Sequence, residues 1–243
     1  MMMSRIQIRK EMMSKDYSDF EEIIGYKFKD TSHLDIAFTH RSYTNESMKE
    51  APSYERYEFL GDAILEFIVS DELFRKYPEK TEGELTKLRA SLVCEYTLSQ
   101  ITKELGFGKY LYLSNGEEHT GGRDRTSVLC DLFESVLGAI YLDGGLDEAR
   151  KYVNKLLLTD ITSKSLFYDA KSILQEYTQS KGYKLSYETL ETIGPEHNKT
   201  YKVVCIINNE YQEEGIGHTK KMAEQVAAHK TILKINFVDL SDK

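Results

Sequence analysis

The chain has 243 residues, 40% hydrophobic and 30% charged, enough to bury a core in one large domain or two modest ones, and no disordered majority is expected. Its net charge of -8 sits poorly with nucleic-acid binding, which draws on positive charge, but the acidity is uneven: residues 169–243 hold 10 Lys or Arg against 11 Asp or Glu, residues 1–168 hold 22 against 29. Three scattered cysteines, Cys94, Cys130 and Cys205, with no CxxC, argue against a disulfide framework or thiolate zinc site. No apolar run is long enough to span a bilayer, and the basic start MMMSRIQIRKEMMSK lacks a signal-peptide core, so the expected place is a reducing cytoplasm, away from membranes.

Helical spacing dominates from Phe20 to Asp147: FEEIIGYKF, HLDIAFTHRSY, YERYEFLGDAILEF, ELTKLRASLVCEYTLSQITKELG and SVLCDLFESVLGAIYLDGG. GLDEARKYVNKLLL continues as an amphipathic helix, and TDITSKSLFY, residues 159–168, loses periodicity and reads as a connector. The period then changes. DAKSILQEYTQSKG reads as a helix, YKLSYETLET and TYKVVCIINNEYQEEGIG as strands, and TKKMAEQVAAHKTILKI as a helix capped by Thr219, giving an α-β-β-β-α unit. The fold class is thus an all-α N-terminal domain followed by a small α+β domain, with boundaries at 18–147, a terminal helix and linker at 148–168, and 169–238.

At helical spacing Glu55, Glu58, Asp62 and Glu66 share one stripe, opposite Leu60, Ala63, Ile64, Phe67 and Ile68. Alone, this describes any amphipathic helix. In SVLCDLFESVLGAIY, however, Asp131 and Glu134 are the only charges in a segment apolar enough to be buried nearly all round. Buried carboxylates are costly unless paired or metal-bound. Gly61 and Gly138 mark places where a second backbone has room to approach. If the two stripes face each other, Glu58, Asp62, Asp131 and Glu134 form an all-oxygen cluster suited to Mg²⁺ and phosphate-ester chemistry. The competing reading pairs each acid with a base, with Arg56, Arg89 and Arg125 available.

ERYEFLGDA at 55–63 resembles the signature of the ribonuclease III family, double-stranded-RNA endonucleases, and the match extends through FTHRSYTNE at 38–46, EGELTKLRASLV at 82–93 and GGRDRTSVLCDLFESVLGAIYLDGG at 121–145. By position the resemblance implies Glu58, Asp131 and Glu134 as magnesium ligands, with Asp62 and Glu134 catalytic. Glu55 and Glu82 become accessory acids, and His40 and Arg41 supports of the site. Tyr57, Cys130 and Ser135 depart from the usual Leu or Met, Ala and Ala of the pattern without removing a ligand.

The C-terminal unit resembles the double-stranded-RNA-binding domain in three contact regions. Gln175 and Glu176 lie on its first helix, His197 and Lys199 in GPEHNKTY, and Lys220 and Lys221 at the start of its last helix, where ammonium groups add to the helix's positive end. The resemblance implies a two-fold homodimer that cuts both strands and leaves a short 3′ overhang, with Phe59 and Phe67 in the core or the dimer seam. It also implies processing of ribosomal RNA precursors and some messenger and transfer RNA precursors, and calls for no organic cofactor. Two rival readings are a non-catalytic duplex-RNA-binding protein and a helical metal-binding or structural domain fused to an RNA reader.

Overall fold

The computed structural model describes residues 15–46, 52–194 and 199–235. The chain divides into two compact units that meet between Ile161 and Thr162. The first is helical: α1 Ser18–Ile24, α2 Ser32–Ala37, α3 Arg41–Glu46, α4 Glu55–Lys76, α5 Glu82–Val93, α6 Glu95–Glu104, α7 Asn115–His119, α8 Thr126–Gly144 and α9 Leu146–Leu156. Helix α8 runs through the middle, burying Leu132, Phe133, Val136 and Ile140, and α4 lies against it through Ile64, Leu65 and Ile68. Among the described residues no helix is long and apolar enough to cross a membrane.

Several boundaries fall where local chemistry interrupts the apolar period. Gly25, at φ 77°, ends α1 inside FEEIIGYKF. HLDIAFTHRSY is divided between α2 and α3 because Thr39 leaves the helix to form a bridge with Tyr112, and the His40 amide donates to the Tyr112 carbonyl. The long stretch from Glu84 to Gly106 is two helices, since Cys94 is extended at ψ 151°. Thr81 and Glu84 close a capping box that fixes the start of α5.

The second unit begins earlier than residue 169. The expected connector is helix α10, Ile161–Tyr168. Its order comes from tertiary packing: Phe167 lies edge-on against His229 at 5.2 Å, and the Gln225 side-chain amide donates to the carbonyls of Phe167 and Tyr168. Interactions of that kind leave no period in the segment that receives them.

Then follow α11 Ala170–Ser180, β1 Leu185–Ile193, β2 Thr200–Ile207, β3 Glu210–Gly217 and α12 Lys220–Lys234. The strands form one antiparallel sheet in the order β1-β2-β3. Asn208 and Asn209, both at positive φ, make the tight β2–β3 turn. Leu174, Cys205, Ala227, Ala228 and Ile232 form the small core between helices and sheet. Gly215 lets α12 approach β3, for a Cβ there would lie 2.0 Å from the Ala223 carbonyl oxygen. The expected α-β-β-β-α order holds, and all three cysteines are free thiols.

Candidate active site

The two acidic stripes meet. Helices α4 and α8 cross at Gly61 and Gly138: a Cβ on Gly61 would lie 1.8 Å from the Glu134 carbonyl oxygen, and one on Gly138 2.3 Å from the Tyr57 carbonyl oxygen. Only glycine permits backbones so close. The crossing brings Glu58 of α4 beside Asp131 and Glu134 of α8, with one carboxylate oxygen from each within 4.8 Å of the others.

Asp62 is not one of this trio. It is exposed, one turn beyond Glu58, yet its charge is the foremost of the neighbouring charges that act on Glu134. Glu55 is exposed, accepts from the Ser53 hydroxyl and pairs with Arg41 at 3.6 Å. Glu82 opens α5, accepts from the Thr86 hydroxyl at 3.1 Å and lines a groove of about 640 Å³ with Phe67 and Phe74, outside the trio.

The base-paired alternative fails for the central acids. Arg89 pairs with Glu66 at 2.8 Å and Arg125 with Glu117, and among the described residues no Lys or Arg forms an ion pair with Glu58, Asp62, Asp131 or Glu134. Burial, then Asp131, Glu55 and Asp62, pushes the Glu58 carboxyl up to about 7. Burial, then Asp62, Asp131, Glu58 and Glu66, pushes Glu134 up to about 8. Asp131 is also raised by burial, against the hydrogen bond it accepts from Tyr54. Three half-buried carboxylates that repel one another, with no Lys or Arg ion pair among the described residues, are a donor set that fits a hard divalent cation.

The supporting residues have defined contacts. His40 Nδ1 meets the Ser42 hydroxyl at 2.8 Å and accepts from the Ser42 amide, and its ring is tilted against Tyr54 at 5.7 Å. The three departures from the pattern are absorbed. The Tyr57 hydroxyl bonds His33 Nδ1 at 2.9 Å, the Ser135 hydroxyl donates to the Ala37 carbonyl at 3.0 Å, and burial holds the Cys130 thiol protonated. Sequence reasoning assigned nothing to Tyr54, a buried aromatic just before the helix, but its hydroxyl donates to Asp131 Oδ2 at 2.9 Å. Only its place next to the acidic signature hinted at this.

In the second unit Gln175 and Glu176 are exposed on α11, and Lys220 and Lys221 are exposed in the first turn of α12, where the Thr219 hydroxyl accepts from the Met222 amide. The Lys220 ammonium lies 5.9 Å from the centre of the Tyr201 ring. Lys199 is half-buried just before β2, and His197 lies outside the described residues.

Residues 30–161 match the family model described as Ribonuclease-III-like, and residues 170–235 the one described as Double-stranded RNA binding motif. The chain is 42% identical over 220 residues to a Ribonuclease 3 from Listeria monocytogenes, spanning 89% of this chain and 96% of that one. It is 44% identical over 225 residues to a Ribonuclease 3 from Oceanobacillus iheyensis, spanning 91% and 99%. Among solved structures, the nuclease domain of ribonuclease III from Campylobacter jejuni superposes with a TM-score of 0.55 at 38% identity, over 58% of this chain and 95% of that domain. The chain belongs to the ribonuclease III family, endonucleases of double-stranded RNA whose nuclease domain works with a divalent metal.

Proposed function

We propose that the chain hydrolyses phosphodiester bonds within duplex RNA using Mg²⁺ held by Glu58, Asp131 and Glu134, leaving 5′-phosphate and 3′-hydroxyl ends. The observation that carries this reading is the meeting of three carboxylates, none in an ion pair with a Lys or Arg among the described residues, across the α4–α8 crossing. When bound, Mg²⁺ supplies a water of lowered pKa and offsets negative charge on the departing 3′ oxygen. Asp62 and Glu134 orient the attacking water and take its proton, and the trio fixes where the scissile phosphate must lie. Glu55 and Glu82 assist from outside the trio. A route through the RNA 2′-hydroxyl would ask for a free imidazole base, and His40 Nδ1 is already engaged by Ser42.

The C-terminal unit holds the duplex through Gln175, Glu176, His197, Lys199, Lys220 and Lys221. RNA duplexes are read by shape, through phosphates and 2′-hydroxyls across successive minor grooves, which suits several short contact elements on one small domain.

Two strands need two sites, and a two-fold homodimer supplies them. Phe59, Phe67 and Phe74 support a seam on α4: they are 80%, 53% and 72% exposed, and the latter two border the groove between α4 and α5. The Campylobacter jejuni nuclease domain has a region involved in dimer formation. The proposed substrates are ribosomal RNA precursors and some messenger and transfer RNA precursors, in the cytoplasm.

A labelled RNA hairpin, incubated with and without Mg²⁺ beside the Glu134→Gln protein, tests the reading. Cleavage by the wild type only with Mg²⁺, and retained binding without cleavage by the variant, is expected. Equal cleavage by both proteins removes Glu134 from the mechanism.

A further inference from the structure

The Tyr54 side chain is 4% exposed and stands immediately before α4. Its backbone carbonyl accepts from the Glu58 amide at 2.9 Å and its own amide donates to the Thr39 carbonyl at 2.9 Å. Its hydroxyl reaches across to α8 and donates to Asp131 Oδ2 at 2.9 Å. The ring is held against His40. One residue therefore touches the backbone turn that carries Glu58 and the carboxylate of Asp131, the two acids that come from different helices.

We infer that Tyr54 is a positioning residue for the metal site, setting the orientation of the Asp131 carboxylate so that Oδ1 is presented to the cation. This rests on the reading that Glu58, Asp131 and Glu134 hold a divalent metal.

A carboxylate can rotate about its last side-chain bond, and broad two-fold preferences leave that rotation soft. Asp131 has no ion-pair partner among the described residues to fix it, and its acidic neighbours push it away. A hydroxyl donor at one oxygen selects one rotamer. Partners of this kind typically change metal affinity by about 10- to 100-fold when removed. Tyr57 provides an internal contrast: its hydroxyl bonds His33 Nδ1, on α2, at 2.9 Å.

Binding of Mn²⁺ to the full-length protein, followed by the fall in the free-ion electron paramagnetic resonance signal, tests this without recourse to cleavage. Tyr54→Phe is expected to weaken Mn²⁺ binding about 10-fold. Its unfolding midpoint in chelator should move by no more than about 4 °C. Tyr57→Phe should leave Mn²⁺ affinity unchanged. In an Asp131→Asn background the Tyr54 substitution should add nothing, because the two act through one hydrogen bond. Wild-type affinity in Tyr54→Phe overturns the assignment. So does a Tyr54→Phe protein unfolded in chelator at 25 °C, which would make the hydrogen bond one of the fold. A wild-type protein that binds no Mn²⁺ overturns the metal reading, and this inference with it.

Discussion

Gly61 and Glu134 face each other so closely that a Cβ on the glycine would lie 1.8 Å from the glutamate's carbonyl oxygen. The same approach that packs α4 on α8 therefore sets the separation of Glu58 from Asp131 and Glu134. Fold and site share one crossing.

Gly61→Ala forces the helices apart, because the obstruction is backbone and cannot rotate away. Overpacking of this kind costs about 1–3 kcal/mol, occasionally more. The expected outcome is a lower midpoint in denaturant unfolding and weaker divalent-metal binding in whatever remains folded. Gly138→Ala, facing the Tyr57 carbonyl, should act in the same direction. Gly83→Ala, at a position where a Cβ meets nothing within 4 Å, is the neutral control.

The acids give the metal-free protein a characteristic pH dependence. Glu58 is raised to about 7 and Glu134 to about 8, from an ordinary value of 4.5. Between the ordinary and the raised values the folded chain binds more protons than the unfolded one, so stability falls as pH rises from about 4.5 to about 8. A bound cation needs the ionised carboxylates and reverses the penalty. Thermal unfolding in chelator should show that decline, and the midpoint gained on adding Mg²⁺ should be larger at pH 8 than at pH 6. Glu134→Gln should be more stable than the wild type in chelator at pH 8.

Lys220 and Lys221 test the duplex-binding unit. Replacing both with Ala should weaken binding to RNA duplexes of unrelated sequence alike, because phosphate contacts carry no sequence information. The slope of log affinity against log salt should become shallower by roughly 1 for each phosphate no longer neutralised. Filter binding at several salt concentrations reads both, and an unchanged slope would remove the pair from the interface.

Phe59, Phe67 and Phe74 test the assembly. Because they are exposed, substitution should cost the isolated fold little, whereas a charge at Phe67 or Phe74 would have to be buried in a seam formed there. Phe67→Asp is expected to shift sedimentation from dimer towards monomer with little change in helical content. A wild type that sediments as a monomer at micromolar concentration would contradict the seam.

The sequence showed the two acidic stripes because helical period and polarity coincide there, and it showed their meeting point through two glycines on otherwise bulky helices. It placed Phe59 and Phe67 in core or seam without separating the two, since exposure depends on neighbours that periodicity does not supply. Asp62 was grouped with Glu58 by spacing, and it lies on the same stripe, more exposed than the trio, with its charge acting on Glu134. Tyr54 was invisible as a functional residue because an aromatic before a helix usually reads as packing. The helix at Ile161–Tyr168 was missed for a similar reason: Gln225 and His229, some 60 residues on, hold it in place.

On the proposed reading, the α4–α8 crossing builds a divalent-metal site. Crystals of the full-length protein grown with Mn²⁺, measured at a wavelength where manganese scatters anomalously, would locate the ion. An anomalous peak in contact with carboxylate oxygens of Glu58, Asp131 and Glu134 is expected. A fully active protein whose manganese peak lies elsewhere, with these three acids bare, would contradict it.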